Sequence, residues 1–165
     1  MVEKLLETAT LDSEQLLLKK ETIDIIPLVK NIYLKGSAIT SQKKLSFHAS
    51  KNTITIDVDP FHFENAIHNL VDNALKYGGD SIEIRASVVS NKVEITIADN
   101  GNGIDKTQRD KIFDKFYRVP TGNTHTIKGF GIGLYYTKTI IEKHGGKILL
   151  APNTLQTTFK VTLPL

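Results

Sequence analysis

The stretch NAIHNLVDNALKYGG at residues 65–79 decides the fold of this chain. Its asparagines Asn65, Asn69 and Asn73 recur every four residues, so they share one face of a predicted helix whose other face is apolar. Asparagine is a poor helix former, so three in register need a reason. Either they hold a ligand that needs carboxamide oxygens, such as Mg²⁺ bound together with phosphates, or they form an ordinary polar helix surface. The helix alone leaves both interpretations open.

The sequence also predicts where this helix begins and ends. Asp59 can cap its start, and Pro60 suits its first turn. The pair Gly78-Gly79 predicts that it ends after Tyr77.

The segment DNGNG at residues 99–103 follows an apolar, alternating stretch that predicts a strand. Its glycines permit positive φ and a close approach of the backbone to a ligand. Asp99 ends the predicted strand, and its carboxylate is an acceptor suited to an exocyclic amine. A plain turn after a strand has the same composition, so this segment alone is weak support for a site.

The segment GFGIGL at residues 129–134 opens another predicted helix. Glycines at a helix start leave N–H groups and the positive end of the helix dipole available to an anion. The segment is not a phosphate-binding loop of the GxxxxGK[ST] kind. Arg118 and Lys128 lie in the irregular stretch before it, at residues 117–129, from which they can reach a terminal phosphate.

Hydrophobic periodicity predicts an α+β fold: a two-layer α/β sandwich with a mixed, mostly antiparallel sheet and helices on one face. Residues 1–20 are predicted to be helical. The other predicted elements are a strand at Glu21–Ile25, a helix from Pro27 to about Lys44, a hairpin of Leu45–Ala49 and Thr53–Val58, the helix at 60–77, a strand pair of Ser81–Val88 and Val93–Ala98, a short helix from Asp105 to Phe113, a helix from Gly131 to Lys143, and strands at Lys147–Ala151 and Thr157–Leu163.

Composition limits the class of protein. The chain has 165 residues, about one domain's worth, with 40% hydrophobic and 24% charged residues, as in globular domains. It has no cysteine, which excludes disulfides and cysteine metal sites. A net charge of +3 without a run of basic residues does not suggest nucleic-acid binding. The sequence also lacks an apolar run long enough to span a membrane.

Four ordered motifs together resemble the catalytic ATP-binding domain of sensor histidine kinases, within the GHKL (Bergerat-fold) superfamily. They are the N box NAIHNLVDNALKYGG at 65–79, the first glycine box DNGNGI at 99–104, the F box KIFDKFYRV at 111–119 and the second glycine box GFGIGL at 129–134. The last strand, QTTFKVTLP at 156–164, is also similar. The resemblance implies that the chain binds ATP and Mg²⁺.

The resemblance implies metal and phosphate roles for the N box and the lid. Asn73 would be a Mg²⁺ ligand, and Asn69 would contact metal or phosphate. Lys76 would reach the phosphates, and Tyr77 would border the nucleotide. Arg118 would approach the γ-phosphate; Asn69, Lys76 and Arg118 are therefore the candidate catalytic residues.

The resemblance also implies which residues hold the base and close the lid. Asp99 would bind the adenine amine, with Gly103 and Thr158 holding its water network. Phe113 and Phe116 would anchor the lid by packing. The remaining expected contacts to nucleotide come from the two glycine boxes and the lid: Gly101, Ile104, Lys128, Gly129, Gly131, Gly133 and Leu134.

One departure from the superfamily affects the expected chemistry. In the related ATPases of the gyrase, mismatch-repair and chaperone types, a glutamate four residues before the metal-binding asparagine activates water. Here that position is Asn69, which cannot act as a base, so hydrolysis is expected to be slow. The phosphoryl group would then go to a nucleophile supplied elsewhere.

None of the five histidines stands in the sequence context of a phosphoacceptor helix; they are His48, His62, His68, His125 and His144. Residues 1–20 therefore resemble the tail of an upstream dimerisation helix or linker, and 21–165 the catalytic domain, with an ATP lid at about 105–130. The expected partners are the chain's own dimerisation and phosphoacceptor domain and a response-regulator receiver domain. The fragment alone is expected to be monomeric and unable to autophosphorylate, as a cytoplasmic part of a homodimeric, membrane-anchored parent.

Two other interpretations remain open at this stage. An anti-sigma-type serine kinase, or a degenerate ATP-binding module that only docks a partner, would also be small. Anti-sigma relatives keep a glutamate at the position of Asn69, which argues against the first of these. A domain without a ligand would not explain four motifs in order.

Overall fold

The computed structural model describes residues 16–120, 130–152 and 156–165. Within these ranges the chain forms seven strands and three helices, in the order β1 (Glu21–Asp24), α1 (Ile25–Ile39), β2 (Lys44–Ala49), β3 (Thr55–Val58), α2 (Pro60–Tyr77), β4 (Ser81–Val89), β5 (Lys92–Asp99), α3 (Gly133–Lys143), β6 (Lys147–Leu150) and β7 (Thr157–Pro164).

A five-stranded sheet in the order β2-β4-β5-β7-β6 forms one layer. β2 is parallel to β4, and the other neighbours are antiparallel. The three helices form the second layer, so the predicted two-layer α+β architecture is confirmed. No helix in the described ranges combines the length and the apolar character needed to cross a membrane.

The strands present alternate residues to the helices, as period 2 requires. In β5, Val93, Ile95 and Ile97 are buried, and the next residue on that face is Asp99. The strand pattern therefore places a carboxylate where a core side chain would otherwise stand. The β4–β5 hairpin turns through Ser90 and Asn91, both at positive φ, which confirms the predicted strand pair.

The predicted hairpin of β2 and β3 is wrong. β2 pairs with β4, and Ser50 N–H extends that ladder to the Ala86 carbonyl, whereas β3 pairs with β1 in a separate two-stranded sheet. Both strands alternate as expected, but alternation does not specify a strand's partner.

Several predicted boundaries also need correction. Residues 16–20 are not helical, and residues 1–15 lie outside the described ranges. Helix α1 ends at Ile39 rather than near Lys44, which begins β2 instead. The segment predicted as a helix from Asp105 forms only turns, because the Asp105 side chain accepts from Thr107 N–H and Oγ1 and so favours an Asx turn.

Asp59 joins three parts of the fold at the start of α2. Its Oδ1 accepts from His62 N–H at 3.1 Å, which is the predicted N-cap, and its Oδ2 accepts from Lys19 N–H at 2.8 Å. Its own N–H donates to Nε2 of the buried His144, at 2.8 Å, and Nδ1 of that ring contacts the Ile140 carbonyl at 2.7 Å. With one neutral tautomer, His144 both receives the Asp59 N–H and caps the end of α3.

Candidate functional site

A cavity of about 330 Å³ opens between the C-terminal half of α2, the ends of β5 and β7, and the start of α3. The segment after β5 closes its outer side. The lining combines polar residues with apolar walls, as small-molecule sites commonly do. Its residues are Asn73, Ala74, Tyr77, Asp99, Asn102, Gly103, Ile104, Ile112, Tyr117, Arg118, Val119, Gly131, Gly133, Leu134, Thr157 and Phe159.

Asp99 is the most buried charge of this cavity, with 5% of its surface exposed. Its Oδ1 accepts from Gly101 N–H at 2.8 Å, and Gly79 N–H also donates to the carboxylate. Burial raises the pKa of Asp99, while these two bonds and the positive charge of Lys43 oppose that shift. The result is an acceptor held in a mostly apolar wall.

Two backbone segments leave room for this carboxylate only because they carry glycine, one at Gly78 and one at Gly101. A Cβ on Gly78 would lie 2.7 Å from Asp99 Cγ and 2.5 Å from the Ala74 carbonyl oxygen. A Cβ on Gly101 would lie 2.7 Å from Asp99 Oδ1 and 2.9 Å from Gly79 N. Gly78 and Gly79 therefore do more than end α2, which is the only role that the sequence indicated. They allow α2 to press against Asp99.

The register of β5 and β7 corrects one predicted residue. Asp99 pairs with Thr157, and Ala98 pairs with Thr158. Paired residues point to the same face of a sheet. Thr157 is thus beside Asp99 in the cavity, whereas the predicted Thr158 is not among the lining residues.

The asparagine stripe is brought only partly to the cavity. Asn73 lines it, while Asn69 lies deeper between α2 and α3, with Nδ2 3.4 Å from the Gly133 carbonyl. Lys76 points elsewhere: its Nζ lies 2.6 Å from Asp72 Oδ2, in an exposed pair one helical turn apart, and it is not a lining residue. A role for Lys76 at the phosphates stays a prediction.

The donors near the cavity suit a cation only in part. Among the described residues no group of three or more His, Cys, Asp and Glu side chains converges as a metal cage would require. Asn69 and Asn73 offer two neutral carboxamide oxygens. Mg²⁺ commonly takes one or two protein ligands together with phosphate oxygens and waters, so this donor set fits a metal that arrives with a polyphosphate.

The described part of the predicted lid contributes to the cavity wall. Tyr117, Arg118 and Val119 line it, and Phe116 N–H donates to the Gly131 carbonyl at 2.9 Å. Gly131 has φ +69°, and an added Cβ would lie 2.7 Å from the Phe116 carbonyl carbon. This left-handed residue explains why α3 begins at Gly133 and not at the predicted Gly131.

The two lid phenylalanines differ. Phe113 packs edge-on against Phe159, with ring centroids 6.2 Å apart, as expected of an anchor. Phe116 is 54% exposed, so its predicted anchoring role is wrong; Lys115 Nζ lies 5.4 Å from its ring centroid instead. The predicted contacts of Lys128 and Gly129, and His125, lie outside the described residues.

Most of the other predicted residues meet at the cavity. Gly103, at φ +72°, and Ile104 line it beside Leu134, and Gly101 touches Asp99 through its N–H. The sequence did not single out Ile112, Asn102 or Tyr117, since nothing in their spacing distinguishes a wall of a cavity from ordinary core or loop.

Comparison with known proteins agrees with this geometry. Residues 58–165 match the family described as histidine kinase-, DNA gyrase B-, and HSP90-like ATPase. The chain is 37% identical over 172 residues to the sensor protein RprX of Bacteroides fragilis (strain YCH46), covering 99% of this chain and 33% of that protein. It is 33% identical to the sensor protein kinase WalK of Staphylococcus aureus (strain MRSA252), covering 99% of this chain and 28% of WalK. The chain thus spans about a third of the length of these curated relatives.

Solved structures share the fold. The catalytic domain of the histidine kinase ThkA superimposes with a TM-score of 0.78 at 23% identity, covering 89% of this chain and 96% of that domain. Full-length ShkA, solved in complex with AMPPNP, gives 0.86 at 21% identity, covering 99% of this chain and 35% of ShkA. The chain belongs to the histidine kinase-, DNA gyrase B- and HSP90-like ATPase family, as an ATP-binding catalytic domain of the sensor histidine kinase type.

Proposed function

We propose that this domain binds ATP with Mg²⁺ and transfers the γ-phosphoryl group to a histidine on a separate dimerisation domain of a longer parent protein. The observation that carries the proposal is the buried carboxylate of Asp99, which ends a core strand inside a cavity of about 330 Å³. A charge in a core position is unfavourable unless it serves a partner. An adenine amine is a donor that would satisfy it.

The walls of the cavity suit a flat, apolar base. Ile104 and Leu134 line it beside Asp99, and Ile112 and Phe159 close its inner side. Thr157 faces the same space from β7 and can support water-mediated contacts to the base.

The phosphates would lie toward the start of α3. Its N-cap residue, Ile132, has no side-chain acceptor for the first-turn N–H groups, and Gly133 and Leu134 line the cavity there. An anion at this helix start would receive those N–H groups and the positive end of the dipole. Arg118 also lines the cavity and would add a positive charge for the terminal phosphate.

The metal would be held by Asn73, with Asn69 behind it, and by phosphate oxygens. When bound, Mg²⁺ supplies charge neutralisation for the leaving and transferring phosphoryl oxygens. The chain's own contribution is to orient the phosphates through Asn73, the start of α3 and Arg118.

Asn69 indicates transfer instead of hydrolysis. A carboxamide cannot take a proton from water at neutral pH. Asn69, one helical turn before the proposed metal ligand Asn73, therefore offers no general base to activate water. An imidazole from outside this chain would instead be the attacking nucleophile. The AMPPNP complex of ShkA supports nucleotide binding by this fold, and the relatives RprX and WalK are sensor proteins of which this chain covers 33% and 28%.

The proposal extends to the parent protein. Residues 1–20 would be the end of a dimerisation helix or linker, and residues 21–165 the catalytic domain with its lid at about 105–130. The phosphoacceptor domain, a response-regulator receiver domain and a membrane anchor would belong to the assembly in which this cytoplasmic domain works.

Two measurements test this function in sequence. Titration calorimetry of AMPPNP into the 165-residue chain, with and without Mg²⁺, should give one-to-one binding that Mg²⁺ strengthens. Radiolabelled ATP should then label the parent's phosphoacceptor domain added in trans, and a histidine-to-glutamine variant of that domain should stay unlabelled. Saturable binding without any transfer would leave a nucleotide-binding docking module, and no binding at millimolar AMPPNP would refute the proposal.

A further inference from the structure

Lys43, in the segment between α1 and β2, reaches across to the end of α2. Its Nζ donates to the Gly78 carbonyl at 2.8 Å and lies 3.5 Å from the Ala74 carbonyl. The Gly78 carbonyl belongs to the C-cap residue of α2, where backbone oxygens lack helical partners, whereas the Ala74 carbonyl also accepts from Gly78 N–H at 2.9 Å. A positive charge is favourable at this end of a helix. Lys43 is therefore a side-chain cap supplied by a distant segment.

The peptide that Lys43 holds is the one that presses on Asp99. A Cβ on Gly78 would come within 2.8 Å of both Asp99 Cγ and Asp99 Cβ, so the backbone there is in contact with the carboxylate side chain. The next residue, Gly79, donates its N–H to the same carboxylate. Lys43 thus stands on one side of the Gly78-Gly79 peptide and Asp99 on the other.

We infer that Lys43 is a positioning residue for adenine recognition: it fixes the Gly78-Gly79 backbone against Asp99 and places a positive charge beside that buried carboxylate. The inference rests on the proposed function, since it deepens the role of Asp99 as the acceptor for the adenine amine. Lys43 itself is not among the residues that line the cavity, so it acts through Asp99 and not on the nucleotide.

The electrostatics support this arrangement. Burial raises the pKa of Asp99, and the charge of Lys43 lowers it, so Lys43 favours the ionised carboxylate, which only accepts hydrogen bonds. Other titratable groups around the same cavity are Tyr77 on α2 and Tyr117 and Arg118 on the lid. Without Lys43, Asp99 would hold its proton to higher pH and present a donor to the amine.

The test compares ADP with inosine diphosphate, which carries a carbonyl in place of the adenine amine. We expect Lys43→Met to weaken ADP binding about tenfold, the value of one charge-assisted contact, in calorimetry at neutral pH. Binding of inosine diphosphate should change by less than about threefold, because it has no amine for Asp99 to accept from. The preference for ADP over inosine diphosphate should therefore be largely lost.

The pH dependence provides a second readout, which a purely structural role would not change. ADP affinity is expected to fall at acidic pH, and in Lys43→Met this fall should begin at a higher pH. Lys43→Arg, which keeps the charge and the donors, should return the pH dependence to that of the wild-type chain. Lys44→Met is the matched control, because Lys44 is the adjacent exposed lysine. Circular dichroism checks folding, and Lys43→Gln, which keeps a donor without the charge, replaces Lys43→Met if the latter does not fold.

The possible outcomes distinguish a failure of the proposed function from a failure of the role of Lys43 alone. Wild-type chain that does not bind ADP refutes the proposed function. Wild-type binding with an equal loss of both nucleotides in Lys43→Met, or with no loss at all, refutes the role of Lys43 alone. Loss confined to ADP, shifted in pH and restored by arginine, supports it.

Discussion

Gly78→Ala is expected to damage both the stability of the fold and the nucleotide site. The new methyl group would lie 2.5 Å from the Ala74 carbonyl oxygen and 2.7 Å from Asp99 Cγ. Both contacts are well inside normal van der Waals separation, and the first is with backbone, which cannot rotate away. The end of α2 must therefore move away from Asp99.

The size of the effect follows from these contacts. Forcing a methyl group into a packed site costs about 1–3 kcal/mol. Displacing the Gly78 carbonyl also weakens its 2.8 Å hydrogen bond from Lys43 Nζ, which is worth about 1 kcal/mol more. We expect a loss of about 2–4 kcal/mol in the free energy of unfolding, and nucleotide affinity lowered at least about tenfold because Asp99 loses its Gly79 contact.

Urea unfolding followed by circular dichroism measures the stability, and calorimetry with AMPPNP measures the affinity. Gly36→Ala is the matched control, because both changes remove the same backbone freedom from the unfolded chain. The atoms nearest a Cβ on Gly36 are side-chain methyl groups and not backbone, beginning with Leu45 Cδ2 at 3.1 Å and Val71 Cγ1 at 3.5 Å. Gly36 lies inside helix α1, where alanine is favoured. If Gly78→Ala unfolds within about 0.5 kcal/mol of Gly36→Ala and binds nucleotide normally, the packing argument is wrong.

Three other perturbations test the site and its surroundings. Asp99→Asn should abolish AMPPNP binding in calorimetry without lowering the melting temperature of the free protein, since burial raises the pKa of Asp99 and its charge does not favour the fold; retained affinity would exclude the adenine role. Burial, followed by the charge of Lys20, lowers the pKa of His144, so the unfolded chain takes up the proton first, and the stability of the fold should decrease as the pH drops below about 6.5. Urea titrations should show a weaker pH dependence of stability in His144→Gln and an unchanged one in the control His68→Gln. Asp59 and His62 also face the His144 ring and contribute to its electrostatic surroundings. Asn69→Glu should raise phosphate release by less than the full factor of about 10²–10⁴ that a general base supplies, since the lid must also place the water; a gain at the top of that range would show that only the base was missing.

The sequence was informative where a local rule and the tertiary structure agree. Helix α2 was predicted with its cap and its end, because Asp59, Pro60 and the Gly78-Gly79 pair act within a few residues of themselves. The buried position of Asp99 follows from strand alternation, since it continues the face of Ile95 and Ile97.

The errors arose where distant segments compete for the same partner. β2 and β3 were predicted to form a hairpin, but β2 pairs with β4 and β3 pairs with β1. The choice between Thr157 and Thr158 depends on a strand register that no local pattern fixes. Lys43 carries no signal in its own neighbourhood, because its contacts are 31 and 35 residues away.

The bond from the Lys19 N–H to Asp59 has an evolutionary consequence. Because the donor is a main-chain atom, any residue except proline can occupy position 19 and still make the bond. The connection between the leading segment and the start of α2 is thus free to drift in sequence without being lost, and a comparison of side chains among homologues would not reveal it. A proline scan through residues 16–20 would reveal it, with position 19 as the sensitive site.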